Sequence, residues 1–233
     1  TLFTSNKSRH NYFINLLSKN CKELFVVQES STIFQGSMPG HYQVSNTIKN
    51  YFESVNKAQN KIFGNSYIKN LNKNINILPL SMGDLNQYEF TSLNKFLESD
   101  LYIIFGSSYI KGDLVNFLIK KKAINIHMGV SPYYRGTDCN FWALYDGNPH
   151  LVGATIHYIS EGLDSGPILY HAICAYDKSD PFFFTMSSVK SAFFSLVERV
   201  KNQSIFTYGP ILQDKSHEIR YSKRIDFNEN NTI

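Results

Sequence analysis

Short apolar runs alternate with amphipathic stretches along most of this chain, and that rhythm constrains the fold more than any other feature. The run from Glu23 to Val27 has the continuity of a strand buried on both faces. Further strands are expected at Leu2-Phe3, 75–80, 101–105, 123–127, 152–159 and 168–175. Helices are expected at 8–19, 44–64, 87–97, 113–119, 138–145 and 181–200. Ser5 or Asn6 can cap the first, and Asp180-Pro181 opens the last with proline at its first turn. This alternation predicts an α/β fold with a doubly wound, mostly parallel sheet. The main unit spans 1–200, and 201–233 reads as a short irregular extension. In such sheets, ligands sit at the carboxyl ends of the strands.

Three residues with useful chemistry fall where that rule points. Asn125 and His127, two apart at the end of the 123–127 strand, share one face. Asp164 lies on a later loop, Gly162-Leu-Asp-Ser-Gly166, that can reach the same imidazole. Together they supply an oxyanion donor, a titratable ring and a carboxylate to orient and charge it. That set suits acyl transfer to an amine without a Ser or Cys nucleophile. Taken singly, each has a plainer reading: a buried structural histidine, a strand end, a turn former. Arg9-His10 lies at the first strand-to-helix junction, where helix amides and cations can hold phosphate. Arg135 offers a cation beside the 123–127 strand, and His157 reads as structural within an alternating strand.

Composition narrows the class. A net charge of +4 suits an anionic small molecule and is too weak for a nucleic-acid grip. No apolar run approaches the roughly 20 residues that span a bilayer, and no secretory signal pattern is present. Cys21, Cys139 and Cys174 lack metal or disulfide spacing, so no metal site is expected. They fit a reducing cytoplasm.

Ile124-Asn-Ile-His127, Tyr134-Arg-Gly136 and Gly162-Leu-Asp-Ser-Gly166, in that order, resemble the signature of the folate-dependent formyltransferases. The family includes glycinamide ribonucleotide transformylase, methionyl-tRNA formyltransferase and the sugar N-formyltransferases. The likeness is strong over 101–175 and extends plausibly from 1 to about 200. It implies a Rossmann-like formyltransferase sheet and 10-formyltetrahydrofolate as donor. Asn125 would donate to the developing oxyanion, His127 would sit beside the formyl group, and Asp164 would pair with His127. The resemblance also implies a pterin near the backbone of Phe105, Gly106 and Ser107 and against Ile159, Ser160, Glu161, Gly162 and Leu163. Met128-Gly129 stands where the family often has proline after the Asn-x-His, so the turn is built differently.

The run Tyr133 to Trp142, with Asn140-Phe-Trp142, most resembles the sugar N-formyltransferases. The implied acceptor is the primary amine of a nucleotide-linked 4-amino or 3-amino deoxysugar destined for surface polysaccharide. Ser5, Asn6, Arg9, His10, Tyr134, Arg135, Gly136, Asn140 and Trp142 are the expected acceptor contacts. Other readings are glycinamide ribonucleotide or another small amine as acceptor, a folate-dependent hydrolase, or a catalytically silent folate-binding module. The first loop, Thr4 to His10, lacks the Gly-Ser-Asn pattern of the purine-pathway members, and the short tail argues against a tRNA-binding domain. The resemblance further implies a homodimer built through elements after the core, with no membrane or nucleic-acid partner.

Overall fold

The computed structural model describes residues 1–31, 45–71, 73–178 and 180–231. Its centre is a seven-stranded sheet ordered β3-β2-β1-β4-β5-β7-β8. The strands are β1 (Leu2–Ser5), β2 (Leu24–Ser30), β3 (Ile75–Ser81), β4 (Ile103–Phe105), β5 (Ile124–His127), β7 (Ala154–Tyr158) and β8 (Ile168–Ala172). The first five run parallel, and β7 and β8 are antiparallel. A separate parallel pair joins β6 (Tyr134–Gly136) to β9 (Arg220–Ser222). The order reverses between β1 and β4, which opens a crevice at their carboxyl ends.

Helices cover both faces of the sheet. These are α1 (Ser8–Ser18), α2 (Asn46–Phe63), α3 (Gly112–Lys120), α4 (Cys139–Tyr145) and α5 (Pro181–Lys201). α1 and α5 pack on one face and α3 on the other, while α2 packs on α1 and α5 and α4 on β6. Phe13 of α1 stacks on Phe193 of α5 with ring centroids 4.3 Å apart. Both rings are fully buried, and each such side chain contributes about 2–3 kcal/mol in area removed from water. The opposite face packs Leu114 and Leu118 of α3 against Phe3, Val27 and Ile104.

Most expected elements form within a few residues of their predicted ends. Three differ. Residues 87–97 form two 3-10 segments, Asp84–Gln87 and Phe90–Leu97, in place of an α-helix. Phe90, Leu93 and Phe96 recur every three residues, the spacing that aligns on a 3-10 helix. Lys7, with no side-chain cap, precedes α1, whereas Asn6 binds Ser31 through both its amide groups. The stretch 201–231 is not free of regular structure: β9 returns to pair with β6 in the separate two-stranded sheet. Position 44, the expected start of α2, lies outside the described residues, and Ser45 caps the observed helix by accepting from Ile48 N.

Candidate active site

β5 ends with Asn125 and His127 aimed at the same place, and the loop after β7 carries Asp164 to meet them. His127 Nδ1 lies 3.2 Å from Asp164 Oδ2. Asn125 Nδ2 donates to Asp164 Oδ1 at 3.2 Å. The three residues expected to act together therefore share one hydrogen-bond network. His127 Nε2 faces the carbonyl of Tyr134 at 3.1 Å, so both ring nitrogens have acceptors and a doubly protonated ring is fully satisfied.

The electrostatics agree. Burial opposes a charged His127, but Asp164 and then Cys139 raise it well above its ordinary value of 6.5. Burial likewise opposes a charged Asp164, and the charge and hydrogen bond of His127 outweigh it, holding the carboxyl far below its usual range. The pair is an imidazolium and a carboxylate at neutral pH.

A fourth member escaped the sequence reading. His157 of β7 pairs in register with Asn125. Its Nδ1 lies 2.8 Å from the carbonyl of Tyr158, so Nδ1 carries the proton and Nε2 accepts from Asn125 Nδ2 at 3.1 Å. Both hydrogens of the Asn125 amide are thereby engaged, by His157 and Asp164. The alternating strand had marked His157 as structural, but cross-strand register, invisible in sequence, sets what it faces.

The Asp164 loop has an unusual backbone. Asp164 adopts φ +47°, a left-handed conformation uncommon for a residue with a side chain. Gly166 is required: a Cβ there would stand 1.7 Å from the carbonyl oxygen of Tyr158. Gly129 is required for a related reason, because a Cβ would stand 2.5 Å from both His127 Nε2 and Cys139 Cβ. The turn after Met128 thus folds closely over the imidazole.

The expected folate segments converge. Tyr109, after β4, donates its hydroxyl to Glu161 O at 2.5 Å, joining the loop that begins at Gly106 and Ser107 to the loop after β7. Ile159, Ser160, Glu161 and Gly162 line a cavity of about 600 Å³ with Lys122 and Lys215. Leu163 is partly exposed beside it. Glu29, buried at the end of β2, accepts from Ser108 N at 2.6 Å, Ser108 Oγ at 2.7 Å and Gly83 N at 2.9 Å. It pins the loop after β4, a role that only the strand order could reveal. Phe105 offers no side chain to a ligand, since its ring packs edge-on against Phe13 and Phe193.

The expected acceptor contacts divide. Ser5 and Asn6 end β1 at the crevice, and Gln28 Nε2 donates to Ser5 O at 3.1 Å. Arg9 Nη1 donates to Gln59 Oε1 at 2.6 Å. His10 is buried against the Phe105 ring, 4.9 Å between centroids, and burial holds it well below 6.5. A neutral, enclosed His10 is not a phosphate cation. Lys7, Arg9 and Arg224 act electrostatically on one another or on Asp138, a grouping the sequence reading did not contain. Gly136 sits on β6 against Ser222. Tyr134, Arg135, Asn140 and Trp142 make internal contacts instead of lining a ligand surface. The Tyr134 hydroxyl binds Asp146 and Asn148. Asn140 bridges Ser188 and the backbone of Gly153. Trp142 is 2% exposed and lies under Arg220, 4.4 Å from guanidinium carbon to ring centroid. Arg135 pairs with Glu218 at 2.8 Å and donates to Leu163 O at 2.9 Å.

Known proteins carry the same arrangement of sequence and fold. The family model described as formyl transferase matches residues 47–188, more than half of the chain. A methionyl-tRNA formyltransferase of Clostridioides difficile is 26% identical over 180 residues, covering 72% of this chain and 58% of the relative. A dTDP-4-amino-4,6-dideoxyglucose formyltransferase of Mycobacterium tuberculosis is 26% identical over 119 residues, covering 48% of this chain and 50% of the relative. The crystal structure of an N-formyltransferase from Helicobacter canadensis, in complex with folinic acid and dTDP-3-aminofucose, superimposes with a TM-score of 0.53. That match has 16% identity and covers 97% of this chain and 71% of that one. The chain spans about half the length of the curated relatives it matches. With the family pattern running through β5, Asp164 and the start of α5, this chain belongs to the formyl transferase family.

Proposed function

We propose that this protein transfers a formyl group from 10-formyltetrahydrofolate to the primary amine of a nucleotide-linked amino deoxysugar, for surface polysaccharide synthesis. The observation that carries the transfer is the network of Asn125, His127 and Asp164 at the end of β5. The joined loops after β4 and β7 offer backbone amides and carbonyls to a pterin edge, next to the cavity lined by Ile159 to Gly162. The folate supplies an electrophilic formyl group on a nitrogen that leaves.

The protein's part is positioning and charge. His127, as imidazolium, stabilises negative charge on the formyl oxygen while the neutral amine attacks. Removing one such donor costs about 10²–10³ in rate. Asn125 joins it by exchanging a resting hydrogen bond, to His157 or Asp164, for one to that oxygen. Asp164 keeps the ring charged and correctly turned and orients a water that carries the amine proton away, to the folate nitrogen as its bond to the formyl carbon breaks.

The acceptor reading draws on charge at the crevice. Lys7 is pushed down to about 8 by burial and then by Arg9 and Arg224, with Asp138 opposing. Burial pushes Asp138 up, with Arg224 and Lys7 opposing. Lys7, Arg9 and Arg224 gather positive charge around Asp138, a setting that attracts a diphosphate. The cluster favours a nucleotide sugar over an uncharged amine.

The test is release of tetrahydrofolate from 10-formyltetrahydrofolate with a panel of amines. The panel holds nucleotide-linked 3-amino and 4-amino sugars, glycinamide ribonucleotide and charged initiator tRNA. Fast turnover on one amino sugar alone is expected. Turnover on the ribonucleotide or the tRNA instead would overturn the acceptor, and no turnover on any amine would overturn the enzyme.

A further inference from the structure

The turn that presents Asp164 is held by a side chain from the far end of the chain. Gln213 Nε2 donates to Asp164 O at 2.9 Å and to Gly166 O at 2.8 Å. The orientation of that amide is fixed, because the reverse would set Oε1 against two carbonyl oxygens. Oε1 has no partner among the described residues, so the two carbonyls alone orient the group. The adjacent carbonyl, Leu163 O, accepts from Arg135, and Arg135 is itself held by Glu218. Gln213 and Glu218 both lie beyond α5.

This segment is anchored on either side of Gln213. Ile211 exchanges two backbone hydrogen bonds with Ile168 of β8, at 2.8 and 2.7 Å. Ile219 N and Arg220 N both donate to Tyr133 O, at 2.9 and 3.0 Å. The amide of Gln213 is therefore delivered by backbone pairing to Ile168 of β8 on one side and to Tyr133, just before β6, on the other.

The loop needs such a clamp. A left-handed conformation is unfavourable for a residue with a Cβ, and it persists only where the surroundings over-determine it. Gly166 supplies space and Gln213 supplies the bonds. We propose that Gln213 is a positioning residue for formyl transfer: its amide fixes the loop backbone, and thereby the Asp164 carboxylate, against His127 and Asn125. The C-terminal segment is then part of the scaffold of the active site. The catalytic meaning of this clamp rests on the formyl-transfer reading; the clamp itself does not.

The experiment compares wild type with Gln213→Ala and Gln213→Met by two readouts. One is turnover, with separate kcat and KM. The other is titration of the His127 ring by NMR, which needs no substrate. Gln213→Met keeps most of the bulk and removes both donors, so it serves if Gln213→Ala fails to fold. Gln213→Lys restores a donor. The expected result is a kcat lowered roughly 10- to 100-fold, as for misplacement of a reacting group by about 1 Å, with both KM values within about twofold. The His127 midpoint should fall as Asp164 loosens, and Gln213→Lys should recover part of both changes. An unchanged His127 midpoint in a folded donor-less variant overturns the proposal, whatever happens to kcat. A shifted midpoint in a protein whose wild type turns over no amine would support the clamp and defeat the formyl-transfer reading.

Discussion

Asn125 and His127 reach the centre on a strand, whereas Asp164 reaches it on a loop, and the two sides are held by different means. β5 is paired on both edges, with β4 and β7, so the direction of its side chains follows from sheet geometry. Spacing of two residues then suffices to place an amide and an imidazole together. The Asp164 loop has no such lattice. Its shape depends on Gly166, on the carbonyl contacts of Arg135 and Gln213, and on a left-handed residue at its tip. A strand positions by repetition, and this loop positions by particular bonds made far along the chain. The loop side should therefore be the more easily disturbed by changes outside the network.

The largest effects are expected where the two sides meet. His127→Ala and Asp164→Asn should each lower kcat by about 10²–10³, with circular dichroism and folate affinity close to wild type. Asp164→Asn leaves the ring its hydrogen-bond partner but removes the charge. Near-normal kcat in either variant would show that the network is not catalytic. Gly166→Ala comes next, and it acts on the loop alone. A Cβ placed 1.7 Å from the Tyr158 carbonyl forces backbone movement. Overpacking of this kind costs about 1–3 kcal/mol, so the midpoint of thermal unfolding should fall by several degrees. If it does not move, the loop is more pliable than the comparison requires.

A smaller and more diagnostic effect is expected from pH. The raised value of His127 places its stabilising charge fully below 6.5, to be lost as pH climbs through the folded value. The lowered value of Asp164 has the opposite sign. Its contribution is present above the ordinary carboxylate value of 3.8 and lost as pH falls through the folded value. The ion pair thus strengthens the fold from weakly acid to neutral pH, and kcat should fall on the alkaline side as the ring loses its proton. The groups facing His127 are Asp164, Cys139 and, across the strand pair, His157. In Asp164→Asn the residual alkaline limb should move to lower pH. An alkaline limb that stays in place would assign it to another group.

The same contrast explains what the sequence made legible. The parallel sheet and the ends of β3 and β5 followed from period and apolar runs, because local rules set them, whereas the meeting of Asp164 with Asn125 and His127 was legible only as motif order. His157 was read as structural, but its partnership with Asn125 depends on the β5–β7 register. Arg135 was read as an anion contact, and Trp142 and Asn140 as substrate contacts. All three are instead taken up by residues 48–83 positions away, at Glu218, Arg220 and Ser188. Gln213 carried no local signal, since an isolated glutamine in an irregular stretch has neither period nor motif.

The smallest expected effect separates the clamp from the general docking of the tail. Arg220 holds β9 down on α4 through two bonds to Asp146, at 2.9 and 2.6 Å, and by stacking over Trp142. The guanidinium is about a third exposed, which weakens the pair through solvent screening. β9 also keeps its backbone pairing with β6 when the side chain is removed. Arg220→Ala should therefore cost about 1 kcal/mol, or about 2–4 °C in unfolding midpoint for a chain of this size. Its kcat should fall less than that of Gln213→Ala, because Ile211 still pairs with Ile168 and still delivers Gln213 to the loop. A loss of turnover as large as that of Asp164→Asn would mean that the loop is held by the docked tail as a whole, and that no single amide in it acts as the clamp.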